Sequence, residues 1–159
     1  DYKVGLIEEN IERTQTLNIR AHRKDATLLD KESVEKADIV LADVPCSGLG
    51  VIGKKTDIKY RTDEDKIQEL AVLQKQILHN AASYVRPGGM LIYSTCTITS
   101  EENQSNVAWF TENYPFVLES LDPYLCEELH SETTAQGWLQ LLPGVHKTDG
   151  FFLARMRKK

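Results

Sequence analysis

Apolar residues along this chain gather in two short continuous runs, and each run leads into a cysteine. Ile39-Val40-Leu41-Ala42 is followed by Asp43, Pro45 and Cys46, then Ser47-Gly48. Fifty residues on, Met90-Leu91-Ile92-Tyr93 is followed by Ser94-Thr95-Cys96-Thr97. An apolar run without polar alternation is the pattern of a parallel strand covered on both faces.

The remaining segments have helical or alternating spacing. Residues 2–16 predict a helix with Leu6, Ile7 and Ile11 on one face and Glu8, Glu9, Glu12 and Arg13 on the other, closed at Asn18. Residues 19–23 predict a short strand ending at Asp25, and residues 31–37 a polar turn before the strand 38–43. After a charged loop over 54–62, Thr62 or Asp63 caps a long helix whose positions Ile67, Leu70, Leu73, Ile77, Leu78 and Ala81 keep helical spacing. Arg86-Pro87-Gly88-Gly89 breaks it, and the strand 90–95 comes next. Ser100-Glu101-Glu102-Asn103 opens a further helix, with Val107, Trp109 and Phe110 apolar, that stops at Pro115. Residues 116–121 alternate as a strand, and 122–137 carry no clear pattern. A strand over 138–142 is broken by Pro143-Gly144, and Asp149-Gly150 turns the chain into the last strand, 151–156.

This order predicts an α/β fold in one domain over residues 1–159, its sheet mostly parallel with an antiparallel C-terminal hairpin. In such sheets ligands sit beyond the carboxyl ends of the strands. Asp25, Asp43, Cys46 and Cys96 all fall at such ends.

Composition narrows the function classes. No apolar run approaches the roughly 20 residues that span a bilayer, so no membrane partner is expected. The first residues do not read as a secretion signal, and three widely spaced cysteines do not make a disulfide framework; a reducing cytoplasm is the expectation. No Cys-x-x-Cys pair or histidine cluster suggests a metal. The net charge of −5 gives no global attraction for nucleic acid. Local basic clusters exist at Lys54, Lys55, Lys59 and Arg61 and in the tail Arg155, Arg157, Lys158 and Lys159. On charge alone these are solvated surface. Lys54, Lys55 and Arg61 lie in the loop after Cys46, which makes them candidate phosphate contacts.

A thiolate is a good nucleophile even when a small fraction is ionised. One reaction that needs it is methylation of a pyrimidine at carbon 5. Attack on carbon 6 breaks the aromaticity and makes carbon 5 nucleophilic enough to take a methyl from a sulfonium donor. A carboxyl such as Asp43 near ring nitrogen 3 stabilises the charge that develops. The base must be flipped out or single-stranded to be reached.

Through ADVPCSGLGVI, RPGGMLIYSTCTITSEEN and LLPGVHKTDGFF the chain resembles the RNA cytosine-5 methyltransferases, most narrowly the bacterial Sun/Fmu type, the small-subunit ribosomal RNA methyltransferase B. The resemblance covers nearly the whole chain. It implies a Rossmann-like domain that uses S-adenosylmethionine on ribosomal RNA. It implies that Cys96 bonds carbon 6, that Cys46 helps release the product, that Asp43 contacts the cytosine and borders the cofactor, and that Asp25 lies against the adenine end of the cofactor. The family's glycine-rich cofactor loop and ribose-binding acid have no counterpart here. The chain is therefore expected to be the C-terminal part of the catalytic domain, its sheet lacking the first two strands. On its own it is expected to bind S-adenosylmethionine weakly or not at all, to turn over little, and to self-associate through an exposed sheet edge.

Rival readings are an amino-group methyltransferase, whose loop needs no cysteine, a non-catalytic RNA-binding module, and a redox dithiol, which needs the two Cα atoms within about 7 Å. Cys126 reads as a small buried hydrophobe and His146 as a structural or exposed loop residue. Trp109 and Phe110 read as helix core, and Asp149-Gly150 with Phe151-Phe152 as the shaping of the final hairpin.

Overall fold

The computed structural model describes residues 2–55 and 57–159, the side chains of Lys59 and Arg61 excepted. Among the described residues five α-helices and five strands run in the order α1 (Tyr2–Arg13), β1 (Ala37–Asp43), α2 (Ile58–Arg61), α3 (Glu64–Tyr84), β2 (Val85–Thr95), α4 (Gln104–Asn113), β3 (Phe116–Leu118), α5 (Glu132–Gln136), β4 (Trp138–Leu141) and β5 (Phe151–Lys158). The strands form one sheet in the order β1-β2-β5-β3, with β4 also on β5. β1 and β2 are parallel, and β5 is antiparallel to each of its three neighbours. Four strands therefore run one way and one runs back, the mixed sheet that the sequence pattern predicts.

The apolar runs fold as expected because each strand has a partner. Ile39 pairs with Met90 and Asp43 with Ser94, so the two strands leave the sheet side by side. Alternation along them sorts the side chains onto two faces. On one face Val40, Ala42, Leu91, Tyr93, Phe152, Ala154 and Met156 pack with Leu78, Ala81 and Ala82 of α3 and Val107 and Phe110 of α4. The other face carries Ile39, Met90, Ile92 and Leu153 in a groove of about 460 Å3 rimmed by Arg86, Arg155 and Arg157. Arg157 and Arg155 both pair with Glu119. The hydrogen bond from Arg157, then the charge of Arg155, hold the Glu119 carboxyl below the usual carboxylate range. The basic tail is thus the end of β5 rather than a solvated terminus, and Lys158 pairs with Glu35.

β3 and β4 lie end to end along the same edge of β5. Leu118 pairs with Met156, the Glu119 amide donates to the Arg155 carbonyl, and Trp138 pairs with Ala154. Residues 120–137 are an excursion between two halves of one edge strand. They contain short 3-10 turns at Asp122–Tyr124 and Glu127–Leu129 and the helix α5, capped reciprocally by Ser131 and Thr134. The strand expected over 116–121 is accordingly shorter.

Asp63 caps α3, its carboxylate accepting from the Lys66 amide at 2.8 Å. Three expectations are corrected. α1 ends at Arg13 rather than near residue 16, because the Thr14 hydroxyl bonds back to the Asn10 carbonyl and Gln15 turns left-handed at φ 53°; it buries no residue, and Leu6 and Ile7 are exposed. Residues 19–23 form no strand, because a strand is held by its ladder and no strand lies beside them among the described residues. Arg86-Pro87-Gly88-Gly89 does not precede β2 but loops out of it: Val85 already pairs with Ala37, and two steps along β1 then match five along β2. Gly88 takes φ 73° in that loop, and Arg86 bonds Asp38 at 2.7 Å.

β1 forms one edge of the sheet, and Ile39 and Leu41 are 64% and 66% exposed. An apolar open edge is a template for pairing. The isolated chain is expected to show a light-scattering mass above that of one molecule, reduced to one molecule by Ile39→Lys with Leu41→Lys; a strictly monomeric unmodified chain would contradict this.

Candidate active site

The parallel register of β1 and β2 brings the segments beyond their carboxyl ends together. The Val44 amide extends the ladder to the Ser94 carbonyl, and Pro45 and Cys46 then turn over the sheet while Cys96 leaves β2 beside them. The two sulfurs come to 3.1 Å, unbonded, and the Cys96 amide donates to Cys46 Sγ at 3.2 Å. Both cysteines are half-buried. Burial, and then the adjacent Cys96 sulfur, push the Cys46 thiol up to about 12. Cys46 thus stays a thiol near neutrality. The two line an open cleft of about 430 Å3 with Ser47, Gly48, Lys55 and Asp57.

Beneath them lies a polar network centred on Gln74, Glu102, Asn103 and Asn106, which are fully buried. Four donors converge on the Glu102 carboxylate: the Ser47 amide at 2.9 Å, the Ser47 hydroxyl at 2.5 Å, the Gln74 amide at 2.9 Å and the Thr99 hydroxyl at 2.8 Å. Gln74 also donates to the Pro45 carbonyl, and the Tyr93 hydroxyl donates to the Glu102 carbonyl. Asn103 accepts from Thr95 and donates to the Thr97 carbonyl and to Gln140. The cysteine loops are thereby tied to α3, to the segment before α4, and to β4. A buried carboxylate is tolerated when its acceptor sites are filled in this way.

A second tie is made by backbone alone. The Gly50 amide donates to the Cys96 carbonyl at 3.1 Å, and the Gly150 amide to the Gly50 carbonyl at 2.8 Å. A Cβ on Gly50 would stand 2.3 Å from the Gly150 carbonyl oxygen, and one on Gly150 would stand 2.7 Å from the Gly50 Cα. Only glycine permits this crossing. The Lys54–Asp149 ion pair at 2.6 Å flanks it.

The sequence-predicted residues are therefore only partly gathered. Cys46, Cys96 and Lys55 share the cleft. Lys54 is engaged with Asp149, and the side chains of Lys59 and Arg61 lie outside the described residues. Asp43 accepts from the Ser94 hydroxyl at 2.9 Å and lines an adjoining cleft with Ala42, Val44 and Pro45. Asp25 is not at a strand end. Its carboxylate accepts from the amide and hydroxyl of Thr27, which hold it below the usual range, and it lines a third cleft with Lys24 and Ala26. Cys126 is exposed rather than buried, because it caps a surface 3-10 turn. His146 accepts from the Leu142 amide at 2.9 Å, a loop role. Phe110 is fully buried, and Trp109 packs against the core under the Lys75 ammonium.

Sequence reasoning missed Gln74, Glu102, Asn103, Asn106 and the Gly50–Gly150 contact. One signal was present: Gln74 interrupts the apolar face of α3 between Leu70 and Leu78.

Residues 2–157 match the family model for 16S rRNA methyltransferase RsmB/F. A curated relative, ribosomal RNA small subunit methyltransferase F of Escherichia coli, is 34% identical over 157 residues, which cover 98% of this chain and 33% of the relative. The chain thus spans about a third of the length of the curated relatives it matches. The crystal structure of PH0851 superposes with a TM-score of 0.84 at 35% identity, covering 96% of this chain and 33% of that one. NSun6 from Pyrococcus horikoshii with SFG superposes with a TM-score of 0.75 at 29% identity, covering 95% and 37%.

Glu102→Gln turns one acceptor oxygen into a donor facing other donors. It is expected to lower stability by about 1–3 kcal/mol, read from the urea midpoint, and to speed thiol modification of Cys46 and Cys96. Unchanged stability and unchanged thiol rates would contradict the network's role.

Proposed function

The chain belongs to the 16S rRNA methyltransferase RsmB/F family, and we propose that it forms the C-terminal catalytic part of a protein that methylates carbon 5 of a cytosine in small-subunit ribosomal RNA. The observation that carries this reading is the pair of unbonded sulfurs at 3.1 Å beyond the ends of two adjacent parallel strands.

The Cys96 thiolate adds to carbon 6 of the flipped base, and the electrons of the carbon 5–carbon 6 double bond pass to carbon 5. When bound, S-adenosylmethionine supplies the methyl group that carbon 5 takes. A base removes the carbon 5 proton, the double bond re-forms, and the Cys96 thiolate leaves. Asp43, held by Ser94, serves ring nitrogen 3 and borders the cofactor. Cys46, protonated beside Cys96, assists release of the methylated product. Lys54, Lys55 and Arg61 serve RNA phosphates.

The residues along the outer side of β1 fit a sulfonium nucleoside. Two clefts there, of about 490 and 230 Å3, share Ala26, Val40 and Tyr84; the first holds Asp25 and the second Asp43. Apolar walls suit adenine, and a carboxylate beside them suits a cationic sulfur. Asp25 stands for the adenine end.

The reaction is tested with the full-length protein and RNA carrying 5-fluorocytosine at the target, where fluorine blocks the proton-removal step. A covalent protein–RNA complex is expected, lost in Cys96→Ala and retained in Cys46→Ala. An adduct that persists in Cys96→Ala would sink the assignment of the nucleophile.

The 159-residue chain alone is expected to bind S-adenosylmethionine weakly or not at all and to turn over little, since α1 buries no residue and residues 19–23 have no ladder. Tight binding in a calorimeter would refute that.

A further inference from the structure

We propose that Cys46 and Cys96 form a reversible disulfide with hydroperoxides, a covalent modification that closes the cleft to nucleophilic chemistry. The sulfurs stand about 1 Å beyond bonding distance without being bonded. They are held there by neighbours rather than by their own side chains. Glu102 fixes Ser47 beside Cys46, and the Gly50 amide fixes the Cys96 carbonyl. Both sulfurs line an open cleft, so a small oxidant reaches them. A cysteine poised beside a resolving cysteine is the arrangement of reversible oxidation.

The step balances with hydrogen peroxide as oxidant. The Cys96 thiolate attacks one peroxide oxygen, the O–O bond breaks, and a sulfenic acid and hydroxide result. The Cys46 sulfur then attacks Cys96 Sγ. The displaced hydroxyl takes the Cys46 proton and leaves as water. Two thiols and one peroxide give one disulfide and two waters; the sulfurs lose two electrons and the peroxide gains them. An external dithiol reverses it by exchange. The elevated Cys46 thiol keeps its proton until the second step, where the leaving hydroxyl takes it.

Formation of the bond rests on the sulfur geometry. Its effect on methyl transfer rests on the function proposed above, and the two are read separately. In the chain carrying Cys126→Ser, an exposed site whose change spares the core, hydrogen peroxide is expected to lower the thiol count in denaturant from two to none. The intact mass should fall by two hydrogens, with one chain per molecule on a non-reducing gel. Dithiothreitol should restore both thiols. Cys46→Ser in the same background should instead gain oxygen at Cys96. Two thiols surviving a peroxide dose that oxidises a small-molecule thiol in the same tube would overturn the proposal. So would oxygen gained at Cys96 with Cys46 still free, or a disulfide between chains. If the bond forms but full-length protein shows no peroxide-sensitive methylation, the proposed function fails and the disulfide stands.

Discussion

Four hydrogen bonds from three separate segments meet on one carboxylate that has no contact with water. Ser47 brings the first cysteine loop to Glu102, Thr99 brings the second, and Gln74 brings the middle of the long helix. Removing any partner leaves a buried acceptor or donor unsatisfied, which costs more than the bond itself contributes. The network therefore tolerates little displacement of either loop, and the distance between the two sulfurs inherits that rigidity. Sheet register brings Cys46 and Cys96 into the same neighbourhood; Glu102 decides how close they stay.

That closeness bears on the chemistry of the pair itself. Burial and a neighbouring sulfur disfavour a thiolate at Cys46. An asymmetric pair of this kind suits a cycle in which one sulfur forms a bond to substrate and the other handles a proton. The surrounding loops take their shape from local backbone rules: a left-handed Gly48 turns the first loop at φ 72°, and glycine at both 50 and 150 lets two backbones cross.

What could be read from sequence was what is locally encoded. The runs at Ile39 and Met90 and the Asp63 cap each carry their signal within a few residues, and each is found where expected, whereas the chain turns at residues 143–145 rather than at Asp149-Gly150. Cys46 and Cys96 were legible because strand ends are. The failures share a different cause. Residues 19–23 read as a strand candidate but have no partner strand among the described residues, and pairing makes a strand. Arg86-Pro87-Gly88-Gly89 looks like an end and proves to be a loop inside β2, because Val85 finds Ala37 first. Glu102 and Asn103 resemble the polar start of any surface helix; only the approach of Ser47, Thr95 and Gln140 from elsewhere in the chain buries them.

The crossing of Gly50 and Gly150 also bears on the order in which the molecule comes together. The helices α3 and α4 need only contacts between near neighbours in the chain. The cysteine cleft needs segments fifty and a hundred residues apart, and closing such long loops is slow because the chain loses entropy before the contacts form. The final hairpin closes over a pocket floor that β1, β2 and Glu102 must already have set. The two sulfurs need only the β1–β2 register and Glu102 to meet, so the Gly50–Gly150 crossing is a clasp laid over a pair that the chain through Glu102 already defines.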